Sequence, residues 1–352
     1  MLDKITIIIP SYERQNYLNK IIRYWTNSKV KILILDGSKK KIDFSKFNYS
    51  KNIRYFHFPK KSLFERLGIA SNMIKTEYSI LCCDDELYLE SGLLSCLKEL
   101  KKNKDLSCVM GRVLCFRYRN NKNKLVGFPG YLQFKNYHLF INDPLKRIGI
   151  HLSDNRGRPT MYSLTRTIYL KEILKLVSKD DIFPCQQTYE LQMDICLAYF
   201  GKIKFIEELT WLRNFDEKPL WPRGKVFFTK WFISKKSKKL VKKLLDLTSK
   251  CLHSVNKKYN PHTLSNVINK ALTSYSIAGN KDYKTPSKIW SASIAPYMID
   301  IVKVFTSEKL IYKIKKFFNL EVDILDSAEK LKQSGVKFKI SELQKAVKIL
   351  NK

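Results

Sequence analysis

The first 110 residues alternate between segments that are apolar throughout and segments whose apolar residues recur every three or four positions. The continuous apolar segments are ITIIIP (5–10), VKILILDG (30–37), IRYFHFP (53–59) and YSILCC (78–83). Such segments are typical of strands that are covered on both faces. NYLNKIIRYW and SLFERLGIASNMI, which lie between them, have helical spacing. Strands and helices in alternation predict a parallel α/β sheet with right-handed crossovers.

The pattern is less regular from residue 105 to residue 222. LSCVMGRVLCFRY (106–118) and KIKFIEELTWLRN (202–214) predict two further strands. TYELQMDICLAYFG (188–201) predicts a helix that ends at its glycine. The predicted strand 202–214 would therefore directly follow this helix.

A change of composition suggests a second region. The prolines and the glycine of KPLWPRGK (218–225) mark a boundary, and Lys-rich helical segments follow from residue 234 to the C-terminus. We therefore predict an α/β domain over residues 1–222 and a basic, α-helical region over residues 223–352.

The chain is strongly basic. Its 352 residues include 66 Lys and Arg against 32 Asp and Glu, for a formal net charge of +34. Nucleic-acid binding, contact with an anionic membrane and the Lys-, Asn- and Ile-rich usage of an AT-rich genome are all compatible with this charge. Because the lysines are spread along the chain without a recognisable nucleic-acid motif, nucleic acid is not the favoured partner.

The eight cysteines lie mostly in apolar segments and form no CxxC pair, which argues against a zinc ribbon or a redox pair and favours a reducing compartment. The N-terminus shows no signal-peptide pattern. The best candidate for a membrane span, 289–305, is interrupted by Pro296 and Asp300. We expect a cytoplasmic protein or one on the cytoplasmic face of a membrane.

Three consecutive acids follow the fourth predicted strand: Asp84, Asp85 and Glu86. Their mutual repulsion is costly unless they face water, a cation or a cationic ligand. Ligands of parallel α/β sheets bind beyond the carboxyl ends of the strands. Tyr12 and Asp36 also fall at strand ends, so the sequence predicts one site there.

These residues carry a resemblance. TIIIPSYERQNYLNKII, ILILDGS and RLGIASNMIKTEYSILCCDDE, within residues 3–90, resemble the nucleotide-sugar half of family 2 type glycosyltransferases with the GT-A fold. TYELQMDICLAYFGKIKFIEELTWLR is similar to the acceptor side of that family, so the resemblance spans about the first 215 residues. It implies a mostly parallel sheet flanked by helices. It also implies inverting transfer from a nucleotide-diphosphate sugar, with UDP favoured, to a glycan, lipid-linked or protein-linked acceptor.

The resemblance gives the acidic triplet a function. In the family an Asp-x-Asp motif places its first acid near the ribose, while its last acid binds a divalent ion. Here it implies Asp84 and Asp85 as donor-binding residues and Asp84 and Glu86 as ligands of Mn²⁺ or Mg²⁺, hard cations that prefer oxygen ligands. Glu86 departs from the usual Asp, which leaves the register open by one residue. The alternative is a solvated turn that caps the next helix.

Five more residues are predicted to border the donor. Pro10, Tyr12 and Arg14 lie at the end of the first strand or just beyond it, where Tyr12 would stack on the base and Arg14 would steady a phosphate or an acid, unless both are ordinary surface residues. The resemblance implies that Asp36 holds the base, although an Asp-Gly turn explains it equally simply. Arg66 would pair with Asp84 or Asp36.

The acceptor hydroxyl needs a base. The resemblance implies Glu190, and Asp194 competes with it because residues i and i+4 share a helix face. The alternative for Glu190 is stabilisation of a helix N-terminus. Arg156 and Arg158 are candidates for binding phosphates or an acidic acceptor, or else belong to a solvated basic loop.

In the basic region, five apolar residues gather on one side of a predicted helix: Leu240, Val241, Leu244, Leu245 and Leu247. Lysines flank them, and Trp231 and Phe232 lie just upstream. This pattern fits a helix lying on an anionic membrane, or one whose leucines pack on the α/β domain.

Two alternative functions belong to other classes of protein. A non-catalytic protein that binds sugar nucleotides or polyanions could have the same fold. A nucleotidyltransferase would need a Gly-rich phosphate loop after the first strand, and PSYERQN is not such a loop.

Overall fold

A computed structural model describes residues 1–43, 50–119, 124–153, 158–185, 187–215, 228–282 and 322–351. Arg156 and the predicted boundary segment 218–225 lie outside the described residues.

The strands of the described residues belong to one sheet. They are β1 (Ile5–Ser11), β2 (Lys31–Asp36), β3 (Ile53–His57), β4 (Tyr78–Leu81), β5 (Leu87–Tyr88), β6 (Leu106–Arg119), β7 (Lys124–Gly130), β8 (His138–Leu139), β9 (Leu164–Arg166), β10 (Lys202–Asn214) and β11 (Val322–Asp323).

The α-helices of the same residues flank this sheet or pack on one another. They are α1 (Gln15–Trp25), α2 (Leu63–Met73), α3 (Glu90–Lys102), α4 (Pro144–His151), α5 (Thr167–Val177), α6 (Gln187–Phe200), α7 (Phe228–Phe232), α8 (Lys238–Val255), α9 (Pro261–Asp282), α10 (Ile324–Gln333) and α11 (Ile340–Leu350). The predicted α/β class, a sheet flanked by helices, is confirmed for the described residues.

The first four predicted strands form the parallel half of the sheet, in the order β3-β2-β1-β4. β1 lies in the centre, and its residues Ile5, Ile7, Ile8 and Ile9 are fully buried, as an uninterrupted apolar strand requires. It continues past Pro10 to Ser11, one residue beyond the prediction. Proline is tolerated there because β4 no longer pairs with β1 beyond Ile8.

Beyond β4 the sheet is mixed rather than parallel. The long strand β6 pairs in parallel with β10 and antiparallel with β7 and β9. β5 pairs antiparallel with β10, with Tyr88 opposite Trp211 and Leu87 opposite Leu212. This pairing draws the turn between β4 and β5 against β10, and the acidic triplet lies in that turn.

The C-terminal residues return to the main sheet. β11 pairs antiparallel with β7, and Lys337 forms a bridge with Glu208. At the end of α11 the carbonyl oxygen of Leu350 accepts hydrogen bonds from Lys20 (2.6 Å) and Tyr118 (3.2 Å). Residues 322–351 therefore pack with the α/β domain, although the sequence predicted only helix there.

The apolar side of α8 packs on α5, α6 and α9. Leu244 and Leu252 are fully buried, and Leu240, Leu245 and Leu247 are partly buried against the same core. The leucines thus pack on the domain, as one of the two interpretations predicted, while lysines such as Lys239 and Lys243 stay exposed. No described helix combines the length and the apolar character needed to cross a bilayer.

Candidate functional site

The acidic triplet is held between β1 and β10, and its first acid faces β1. Asp84 Oδ2 accepts a hydrogen bond from Ser11 Oγ at 2.7 Å, and Asp84 Oδ1 accepts one from Arg14 Nη1 at 2.9 Å. Asp84 is 2% exposed. Its two oxygens are therefore used in joining the acidic turn to the end of β1.

The other two acids face β10. Asp85 Oδ2 lies 3.0 Å from Arg14 Nη1 and 3.4 Å from the amide nitrogen of Asn214. Glu86 Oε2 accepts a hydrogen bond from Trp211 Nε1 at 3.0 Å. The short strand β5 places these acids against β10 because it fixes the direction of the chain directly after Glu86.

Burial and mutual repulsion act on the carboxylates of the acidic turn. Burial raises the pKa of Glu86 well above its usual range, and the charge of Asp85 adds to the rise. Burial also raises the pKa of Asp84, although the charge of Arg14 opposes this. Among the described residues, Arg14 and Arg213 form ion pairs with these three buried carboxylates, and a further cation would be stabilising there.

Cys83, Asp85 and Glu86 form a donor set that suits a metal ion. One ligand atom from each lies within 4.8 Å of the others. The two carboxylates are the hard donors that Mn²⁺ and Mg²⁺ prefer, and Cys83 adds a softer one. The two carboxylates that this donor set contains are those of Asp85 and Glu86, whereas the resemblance implied Asp84 and Glu86 as metal ligands. The difference is a shift of one residue in the register of the acidic motif.

At the end of β2, Asp36 shapes a turn. It is fully buried, Oδ1 accepts from the backbone nitrogen of Ser38 (2.8 Å), and Oδ2 accepts from the hydroxyl of Tyr55 (2.6 Å). Burial, followed by this hydrogen bond, raises the pKa of Tyr55. The geometry matches the Asp-Gly turn, and contact with a base stays a prediction.

Arg66 joins the ends of β1 and β2. Its Nη1 donates to the carbonyl oxygens of Ser11 (2.6 Å) and Leu35 (2.5 Å), so its hydrogen-bond partners are backbone oxygens and not the predicted carboxylates. A Cβ at Gly37 would lie 2.7 Å from Arg66 Cζ, so only glycine leaves room for the guanidinium. Tyr12 lies at the same edge with 42% of its surface exposed.

Glu190, the predicted base, lies in the first turn of α6 and is half-buried. Burial raises its pKa to about 7, and the charge of Asp194 contributes to the rise. Tyr162 lies between α6 and the acidic turn, and its hydroxyl is 3.4 Å from Cys83 Sγ. Burial raises the pKa of Tyr162, and the charges of Cys83, Tyr189 and Glu86 add to the rise. A carboxylate with a pKa near 7 suits a general base.

Asp194 is already engaged in a buried network. Its Oδ1 accepts a hydrogen bond from Thr160 and lies 3.9 Å from Nε2 of the fully buried His151. Arg158 is 8% exposed, donates to the carbonyl oxygen of His151, and stacks over Tyr137 at 5.0 Å. Arg158 therefore lies inside the fold, which argues against the alternative of a solvated loop, and its contact with a phosphate or an acidic acceptor stays a prediction.

An aromatic cluster that the sequence analysis missed covers the other side of the acidic turn. Trp211 is fully buried, with the rings of Tyr162 at 4.7 Å and Tyr131 at 6.2 Å. Tyr131 has a φ of +54°, which is uncommon for a bulky residue. Arg213 completes the cluster. Trp211 and Arg213 are two residues apart on β10 and so point to the same face of the strand, which is the feature of the sequence that could have predicted their contact.

No protein family profile matches the chain. No curated protein sequence matches it. Among solved structures, TarS 1–349 of S. aureus in complex with UDP-GlcNAc overlays with a TM-score of 0.49 at 12% identity, covering 95% of this chain and 93% of that chain. A second structure of TarS 1–349 gives a TM-score of 0.47 at 11% identity, with the same coverage. A longer TarS chain gives 0.45 at 11% identity and covers 76% of this chain, which spans only 42% of that chain.

Proposed function

We propose that this chain transfers a sugar from a nucleotide-diphosphate donor, with a UDP-sugar favoured, to an acceptor hydroxyl on a glycan, lipid-linked or protein-linked acceptor. The observation that carries the proposal is the buried acidic turn after β4, which joins β1 to β10 at the carboxyl end of the parallel half-sheet. Ligands of such sheets bind at this end.

Asp85 and Glu86 would hold the Mn²⁺ or Mg²⁺ of this reaction, with Cys83 in reach. When bound, the ion supplies positive charge for the departing diphosphate. Asp84 keeps the turn attached to β1 through Ser11 and Arg14. Tyr12 would stack on the donor base, and the turn that Asp36 and Arg66 stabilise would support the rest of the nucleoside.

Glu190 would take the proton from the acceptor hydroxyl as that oxygen attacks the anomeric carbon. Its pKa of about 7 leaves much of it ionised at neutral pH and still basic enough to accept a proton. A single displacement of this kind inverts the anomeric configuration. Asp194, which lies in the next turn of α6 and accepts a hydrogen bond from Thr160, would help to keep the pKa of Glu190 raised through its negative charge.

Binding of the donor is tested by thermal unfolding with a panel of nucleotide sugars, with and without Mn²⁺. The panel includes UDP-GlcNAc, which is bound to TarS in one of the overlaid structures. A ligand at 100 times its Kd stabilises the folded state by about 2.7 kcal/mol, so a bound donor raises Tm by several degrees. We expect such a rise with one nucleotide sugar, larger with Mn²⁺. No rise with any of them contradicts the proposal.

We also propose contact with an anionic membrane, where lipid-linked acceptors lie. Because the leucines of α8 are buried, this contact would rest on exposed lysines such as Lys239 and Lys243. We expect sedimentation with anionic but not neutral vesicles, weakened by salt and by Lys→Glu changes at both positions. No sedimentation at low salt contradicts it.

A further inference from the structure

Among the described residues, Arg213 forms an ion pair with Glu86, and the distance between the two groups is long. Its Nε lies 3.7 Å from Glu86 Oε1, which is an ion pair beyond hydrogen-bond distance. Among the described residues, no acceptor forms a hydrogen bond with this buried Nε. A buried donor left in this way is costly, which points to a ligand that would complete it.

Within the part of the chain that the structure describes, aromatic rings and not hydrogen bonds hold the guanidinium of Arg213. Its Cζ lies 5.2 Å from the ring centre of Tyr131, 5.3 Å from that of Trp211 and 5.5 Å from that of Phe215. Stacking of this kind fixes the plane of a guanidinium and leaves its N–H edge available. The side chain is 26% exposed. Arg213 can therefore keep its position while it exchanges one anion for another.

The other arginine of the site is bound differently. Arg14 Nη1 lies 2.9 Å from Asp84 and 3.0 Å from Asp85, so its release would break two close charged contacts. The contact of Arg213 with Glu86 is the longer one. Of these two guanidinium groups, that of Arg213 can bind an incoming anion at the lower free-energy cost, because it has only the longer contact to lose.

We propose that Arg213 binds the diphosphate of the donor and that Glu86 holds it in the ligand-free chain. The inference rests on the proposed function. Asp85 and Glu86 would hold the cation, and Glu86, as its ligand, would no longer be the partner of Arg213. The diphosphate then supplies oxygens that match the planar N–H fork of arginine. Arg213 is thus a second positive group for the diphosphate, provided by the protein itself.

The test measures the affinity of UDP and of uridine, with Mn²⁺ present, by titration calorimetry on the full chain. In Arg213→Gln we expect UDP to bind about 10 to 100 times more weakly and uridine to bind unchanged, since only UDP carries the diphosphate. Arg213→Lys keeps the charge but not the fork, so its UDP affinity should be intermediate. Arg117→Gln is the matched control, because Arg117 also stacks on Phe215, at 5.3 Å, but lies over Phe128 rather than over Trp211.

A second readout does not depend on the nucleotide. Without UDP, Arg213→Gln should bind Mn²⁺ as tightly as the wild type or more tightly, as measured by electron paramagnetic resonance, because Glu86 loses a competing cation. Equal weakening of UDP and uridine, or equal UDP affinity in Arg213→Gln and Arg117→Gln, overturns the role of Arg213 alone. If the wild type binds no UDP, the UDP-sugar function is wrong as well. Thermal unfolding of each variant shows whether it is folded.

Discussion

Replacing Asp85 by Asn and Glu86 by Gln together is expected to lower donor turnover about 10³-fold or more. The two carboxylates supply the hard oxygen ligands of the donor set for a divalent ion, and a bound ion contributes several kcal/mol to stabilising a leaving diphosphate. The fold should remain, since Trp211 can still donate to the amide oxygen of a glutamine at position 86. Turnover is measured as release of nucleoside diphosphate, with Mn²⁺ present.

Two controls make this result specific. Asp105→Asn removes an exposed carboxylate, paired with Lys202 at the opposite edge of the sheet, and should leave turnover unchanged. Asp84→Asn should instead lower Tm, because Asp84 uses both oxygens to hold Ser11 and Arg14. Unchanged turnover in the Asp85/Glu86 double variant and in EDTA would show that the metal assignment is wrong.

Glu190→Gln is expected to lower turnover by about 10²-fold or more while donor affinity stays close to that of the wild type. A positioned general base contributes a factor of this size, and the neutral amide of a glutamine at this position cannot accept the proton. Glu172→Gln, which changes an ion-paired carboxylate on the surface of α5, is the matched control and should stay active. The measurement is turnover at saturating donor, with donor affinity determined separately.

The same group predicts the pH dependence. A base acts in its ionised form, so turnover should fall as the pH drops through about 7, the pKa that burial and Asp194 give Glu190. Asp194→Asn removes one cause of the raised pKa, and the acidic limb should move to lower pH. Loss of turnover in Asp194→Asn, with Glu190→Gln active, would transfer the role of base to Asp194.

The sequence was sufficient for the parallel half of the fold. Uninterrupted apolar strands and amphipathic helices predicted β1 to β4, α1, α2 and α6 within a few residues, because burial on both faces leaves a clear pattern. The acidic turn was found for the same reason: three carboxylates at the end of a buried strand contradict the surrounding pattern.

The rest of the site depends on contacts that are distant in sequence. β5 has only two residues, so no periodicity predicts that it pairs with β10 and brings Glu86 to Trp211 and Arg213. For Arg158 the sequence left open a solvated loop or a phosphate- or acceptor-binding role, because its burial over Tyr137 is visible only in the tertiary structure. β11 was missed for the same reason as β5, because two residues carry no pattern.

The most direct test of the central proposal is the release of nucleoside diphosphate by the wild-type chain from the nucleotide sugar that stabilises it best. With Mn²⁺ present, we predict repeated turnover that EDTA stops and that the Asp85→Asn/Glu86→Gln variant lacks. Tight binding of the same nucleotide sugar, with no release of diphosphate in the presence of glycan or lipid-linked acceptors, would contradict catalysis. The chain would then be a sugar-nucleotide-binding protein on this fold.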